Sequence, residues 1–395
     1  MPSKCLIYLD HSATTHVRPE VKEAMMPYFD IEFGNASSLY AFGQRANTAK
    51  ENARKQVADA IGALPEEIVF TSGGTESDNF ALRGVIKASK DRKHIITSAI
   101  EHPAVLKTCR DLVKQGATLT ELPVDKYGKI SLTELENAIN EGTLIVSIMY
   151  ANNEIGTIEP IEEIGKVIEK ASQKYKHKIY FHTDAVQAAG KIPIDVLKSK
   201  IDLLSISSHK LHGPKGIGVL YIKKGTKIES IMTGGGHEFG LRAGTENIPG
   251  IVGLGKAMEL AVKEMGTVMP KVQELRDYLI ENILKIEHTQ LNGHPTDRLP
   301  INVNININYI EGEGLLLFLD DEGICASTGS ACSAQSLAPS HVILAIGIPH
   351  EIAHGSLRLT LGYENTKEEI DHVLKVLPEI VQRLRSMSPL YKEKS

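Results

Sequence analysis

The sequence predicts an α/β fold: a mostly parallel sheet with covered faces forms a large domain, and a smaller α+β domain follows it. Two observations carry this expectation. From about residue 66 to 225, short apolar strands alternate with amphipathic helical stretches, the pattern of strands joined by crossover helices. After residue 260 the texture changes to a long helical stretch, one alternating strand and a closing helix.

The predicted strands are 67–71, 94–98, 118–122, 144–150, 179–182, 203–207 and 218–222. Each is a short run rich in apolar and β-branched residues. Helices are predicted at 77–88, 103–114, 131–140 and 161–175, where apolar residues recur at helical spacing. A long helix is expected at 251–286, a half-buried strand at 301–307 and a last helix at 368–385. The expected domains are 15–260, and 1–14 with 261–395. With 395 residues, 42% hydrophobic and 24% charged, the chain can bury a large core.

Charge and cysteine content exclude several function classes. A net charge of −5 gives no basic footprint for nucleic acid. No run of 18 apolar residues predicts a membrane span, and the N-terminal apolar stretch is too short for a signal peptide, so a cytoplasmic protein is expected. Cys5, Cys109, Cys325 and Cys332 form no CxxC pair and no zinc spacing, so neither a metal site nor a disulfide framework is expected.

An open parallel sheet binds ligands beyond the carboxyl ends of its strands, so the residues there come first. The stretch FTSGGTESDNF at 70–80 runs from a strand through Gly73 and Gly74 into a helix. Such a turn makes a phosphate cradle, with the Thr75 hydroxyl added, or a plain tight turn capped by Thr75. Asp184 follows an apolar strand. A carboxylate there can pair with a protonated pyridine nitrogen, or simply cap the next helix. Lys210 follows another strand. In a pocket its amine can form a Schiff base with an aldehyde cofactor; otherwise it is a solvated loop lysine. Lys215 is the rival amine, in a Gly-Pro-Lys-Gly turn. Cys332 lies among small and polar residues at 326–340, the composition of an accessible loop, whereas Cys325 sits beside an apolar residue and is expected to be buried.

The set TSGGTE at 71–76, EH at 101–102, ANNEIG at 151–156, HTDAVQ at 182–187, SHKLHGPKG at 208–216, GGGHE at 234–238, LRAGTEN at 241–247 and TGSACS at 328–333 resembles the cysteine desulfurases of the NifS/IscS type, group I, within the class-V aminotransferases. The resemblance runs from YLDHSATT at 8–15 to SPLY at 388–391. It implies a fold-type I pyridoxal-phosphate homodimer that takes sulfur from L-cysteine, releases L-alanine and holds the sulfur as a persulfide on Cys332. The expected acceptor is an iron–sulfur scaffold protein, with the tail after Ser388 as a docking segment. By the same resemblance Lys210 is the Schiff-base lysine, Asp184 the pyridine-nitrogen partner and His102 the residue stacked on the ring. Gln187 and Asn153 contact ring substituents. Gly74, Thr75, Ser207 and His209 hold the phosphate, with Thr245 reaching in from the other subunit. Asn35 and Arg358 bind the substrate carboxylate. Three departures, Gly74 for Ala, His237 for Gln and Ala243 for Ser, remove no reacting group. The alternatives are a selenocysteine lyase, a class-V aminotransferase or a non-catalytic sulfur-carrier scaffold.

Overall fold

The computed structural model describes residues 6–329 and 339–392. Its main sheet has seven strands, in the order Ile68–Thr71, Gly218–Ile222, Leu203–Ser207, Tyr180–Asp184, Thr143–Ser147, His94–Ser98 and Thr118–Leu122. Only Gly218–Ile222 runs against the others. Six of these strands are buried at every residue, and only the edge strand Thr118–Leu122 is partly exposed. Burial on both faces is what a parallel sheet covered by helices requires.

Side-chain alternation splits the strands between two cores. Val69, Ile95, Ile145, Leu203 and Leu220 face the helices Gly74–Ala88 and Pro103–Lys114, where Phe80, Leu82, Val105 and Leu112 meet them. Their neighbours Phe70, Ile96, Val146, Leu204 and Val219 face the opposite layer, with Ile164 and Ile168 of Ile161–Tyr175 and Val57 of Ala41–Ile61. A period of two in each strand thus serves two helical layers at once.

A second sheet has Asn302–Ile307 between Thr289–Leu291 and Ser356–Thr360, all antiparallel. The N-terminal Ile7–Tyr8 pairs with Ile324–Cys325, and Asp10 bridges to Thr360, so the chain start belongs beside this sheet. The sequence predicts a half-buried strand at 301–307, but Asn302–Ile307 is buried throughout. Its asparagines are not on a solvent face. Asn302 and Asn304 both donate to the Glu154 carbonyl at 3.0 Å, and Asn306 donates to that of Ile352 at 2.7 Å. Hydrogen bonding offsets the burial of the amides and ties this sheet to the 152–155 turn of the main one.

Helix Ile248–Ile283 is continuous across residue 260. Gly255 lets its first half approach Ala41–Ile61 closely, since a Cβ there would come within 2.7 Å of the Ala53 Cα. Its second half meets the small sheet, where Arg276 Nη1 donates to the Leu299 carbonyl at 2.8 Å. Among the described residues, no helix is long and apolar enough to cross a membrane.

Candidate active site

Gly74, Thr75, His102, Asn153, Asp184, Gln187, Ser207, His209, Lys210 and Arg358 all line one cavity of about 300 Å³. It sits at the carboxyl ends of the parallel strands. Asp184 ends its strand, Ser207 ends the next, and Lys210 closes the short turn Ser208–Lys210 that follows. His102 leads into helix Pro103–Lys114. Arg358 enters from the second sheet, so the cavity lies between the two sheets.

At one end, strand Ile68–Thr71 reaches helix Gly74–Ala88 through Gly73, whose φ of +153° favours glycine. Gly218 of the reversed strand lies against it, because a Cβ there would come within 2.6 Å of the Gly73 Cα. The helix N-cap is Gly73 rather than Thr75, so Thr75 does not cap this helix. The first turn of a helix of this length carries unpaired amides and a positive dipole end, which suit an anion. His209, near the same end, is pushed down to about 4 by burial and then by the charges of Lys210, Lys215 and Lys191.

The Lys210 amine donates to the carbonyls of Ser12 at 2.5 Å and Ala13 at 2.6 Å. Lys215 is exposed and outside the cavity, so it does not compete. Lys191 is buried and pushed down to about 7 by that burial and by Lys210, but it donates to the Lys210 carbonyl and lines a different cavity.

His102 Nδ1 accepts from the Ala104 amide at 3.1 Å, so its proton lies on Nε2 when the ring is neutral. Burial lowers the His102 pKa against the pull of Asp184. Asp184 accepts from the Val186 amide at 2.9 Å, so its carboxylate also caps the turn that follows. Burial raises the Asp184 pKa, while His102 and Lys210 oppose the rise.

Asp78 is a residue to which sequence reasoning assigned no role. It lines the cavity, is fully buried, and its Oδ1 has no hydrogen-bond partner. Burial, then the charge of Asp184, raises its pKa well above the usual carboxylate range. One ligand-type atom each of Asp78, His102 and Asp184 lie within 4.8 Å of one another. The signal was in the sequence: Asp78 is four residues past Gly74, on the same helix face. Ser12 was missed as well, although it lies within the YLDHSATT stretch at 8–15.

These groups fit pyridoxal phosphate. Ser12 Oγ, Asp78 Oδ1, Gln187 Oε1 and Arg358 Nε are buried without partners around the cavity, so a polar ring has donors and acceptors waiting. A cationic ring nitrogen would compensate the buried Asp184 carboxylate. The helix turn at Gly74 and Thr75 suits the anionic end.

Three expected site residues lie elsewhere. Asn35 is exposed, outside the cavity, and its Oδ1 accepts from the Ser37 amide at 2.9 Å. Thr245 is exposed and outside its own chain's cavity. Cys332 lies outside the described residues; Gly329 before it is tied to Arg358, whose Nη1 donates to its carbonyl at 3.2 Å. Cys325, expected to be buried, is only half-buried.

Comparison with known proteins agrees with this geometry. The family model "Aminotransferase class-V" matches residues 7–373. A relative from Methanosarcina thermophila, "Cysteine desulfurase IscS", is 60% identical over 385 residues, which span 97% of this chain and 94% of the relative. A solved structure described as "NIFS-LIKE PROTEIN" superposes with a TM-score of 0.90 at 39% identity, over 96% of this chain and 100% of that one. "SspA in complex with cysteine" superposes with a TM-score of 0.79 at 36% identity, over 91% and 100%. The fold is fold-type I and the cofactor is pyridoxal phosphate. With a matching cavity, family model and full-length relatives, the chain belongs to the class-V aminotransferase family, among its cysteine desulfurases.

Proposed function

We propose that this chain removes sulfur from L-cysteine, releases L-alanine, and carries the sulfur as a persulfide on Cys332. One observation carries the assignment: Lys210 and Asp184, from separate strands, open onto the same cavity as the Gly74–Thr75 turn.

When bound, pyridoxal phosphate supplies an aldehyde for the amine of cysteine and a protonated ring that accepts the electrons left by the Cα proton. The chain's own groups do the rest. Gly74, Thr75, Ser207 and His209 would hold the phosphate, and the Asp184 carboxylate would accept from the protonated ring nitrogen. Asn153 and Gln187 would contact the ring substituents, and His102 would stack on the ring. Lys210, positioned by the carbonyls of Ser12 and Ala13, takes the proton from the substrate Cα. Arg358 binds the substrate carboxylate.

The Cys332 thiolate then attacks the substrate sulfur. A sulfur–sulfur bond forms, the Cβ–S bond breaks, and its electron pair stays on the carbon fragment, which gains protons to become alanine. The described cysteines are poor candidates for this step. Burial pushes the Cys109 thiol up to about 12 and also raises Cys325.

We also infer a homodimer in which Thr245 completes the partner's phosphate site. The acceptor is an iron–sulfur scaffold protein that docks near the tail after Ser388, and the protein works in the cytoplasm. The large and small domains meet near residue 260, and the two halves of Ile248–Ile283, the first packed on helix Ala41–Ile61 and the second reaching strand Asn302–Ile307, support that division. The test is to incubate the purified protein with L-cysteine, measure alanine, and map the persulfide by mass spectrometry. Alanine with a Cys332 persulfide is expected; no alanine, or a persulfide on Cys325, overturns the assignment.

A further inference from the structure

On the other side of the Lys210 segment lies a second cavity, of about 50 Å³, which shares only Lys210 with the cofactor cavity. His11 and His212 line it, and His16 and Glu364 converge on them from segments far apart in the chain. One ligand atom each of His16, His212 and Glu364 lie within 4.8 Å of one another. His16 Nδ1 and Glu364 Oε1 are 3.2 Å apart, near the ~3.3 Å between neighbouring ligands around a tetrahedral zinc ion.

Further observations point to a ligand. His212 Nδ1 is buried with no hydrogen-bond partner. His212 also has φ +62°, a left-handed conformation uncommon for a non-glycine residue.

His11 supports the carboxylate from the buried side. Its Nδ1 meets the Thr360 carbonyl at 2.8 Å, and a carbonyl only accepts, so the proton is on Nδ1. Its Nε2 lies 2.9 Å from Glu364 Oε1. A partner that fixes a ligating carboxylate in place supports a metal site from its outer shell.

We propose that His16, His212 and Glu364, backed by His11, bind a divalent zinc-type cation. Two imidazoles and one carboxylate suit zinc and leave a fourth position open. The ion would staple segments 11–16, 209–212 and 360–364 together, and the first two of these contain Lys210 and its carbonyl partners Ser12 and Ala13.

The test uses full-length holoenzyme carrying Cys332→Ser, which removes the competing reactive thiol. The protein is stripped with chelator, freed of unbound cofactor and titrated with zinc by calorimetry, with thermal melts alongside. One zinc ion per chain and a rise in Tm are expected. His16→Ala and Glu364→Gln, both at partly exposed side chains, should each weaken binding at least ~10-fold and abolish the Tm rise. Cobalt in place of zinc should give a visible absorption band that both variants lose. No binding in the parent overturns the proposal. Equal affinity in both variants also overturns it, because zinc would then bind elsewhere.

Discussion

Lys210 and Gln187 share one acceptor, the carbonyl of Ser12, at 2.5 and 3.0 Å. The N-terminal segment therefore fixes both a reactive amine and a neighbouring cavity residue. Lys210→Ala removes the group that we expect to bond the cofactor and carry the Cα proton. Alanine formation should fall to background, and the visible absorbance of lysine-linked cofactor should disappear. Full turnover in this variant would refute its role.

Cys332→Ala should separate cofactor chemistry from sulfur transfer. The protein should bind pyridoxal phosphate with unchanged visible absorbance yet form no persulfide on cysteine addition. Mass spectrometry of the intact chain, with and without reductant, reads this directly.

Arg358 is buried, and its guanidinium donates to the Asn153 and Gly329 carbonyls and pairs with Asp10 at 2.9 Å. Its unpaired Nε lies at the cavity. Arg358→Lys keeps a charge but loses the planar fork. Loss of a charged hydrogen bond is worth about 1.5–3 kcal/mol, so KM for cysteine should rise on the order of 10- to 100-fold. Steady-state kinetics should place most of the effect in KM rather than kcat.

Gly218 and Gly73 pack backbone to backbone at the phosphate turn. Gly218→Ala would drive a methyl to within 2.6 Å of both the Gly73 Cα and the Ile206 carbonyl oxygen. Overpacking of this kind costs roughly 1–3 kcal/mol. We expect a lower Tm and a weaker affinity of apoprotein for pyridoxal phosphate, measured by fluorescence titration.

Glu159 is buried, and its Oε1 has no partner. Burial pushes its pKa up to about 8, against the Ile130 amide and Lys129. The sign follows from linkage: the unfolded carboxyl ionises near its model value of 4.5 and the folded one near 8. Its contribution to stability is full below pH 4.5 and is lost as pH rises towards 8. Glu159→Gln removes this titration, so the Tm of the variant relative to wild type should increase from pH 5 to pH 8. A flat difference across that range would show that Glu159 does not titrate as described.

Much of the fold was legible because its signals are local. Strand 203–207 and helix 161–175 match the structure residue for residue, since apolar period and length suffice to define them. The 302–307 strand was misjudged because alternation alone cannot tell a solvent face from a buried face whose amides are hydrogen-bonded. Asp78 went unassigned because its importance comes from Asp184 and His102, which lie on other elements.

By itself the sequence determined the strands and helices, the family, and the residue types able to hold a phosphate, a ring nitrogen and an aldehyde. Those follow from periodicity and motif, which are properties of neighbouring residues. Only the tertiary structure decided that Ser12 positions Lys210, that Arg358 crosses from the second sheet to reach Asn153, and that His11, His16, His212 and Glu364 meet. These are contacts between residues roughly 150 to 350 positions apart. Their geometry is set by how the sheets and helices pack, and nothing in the chain between them records it.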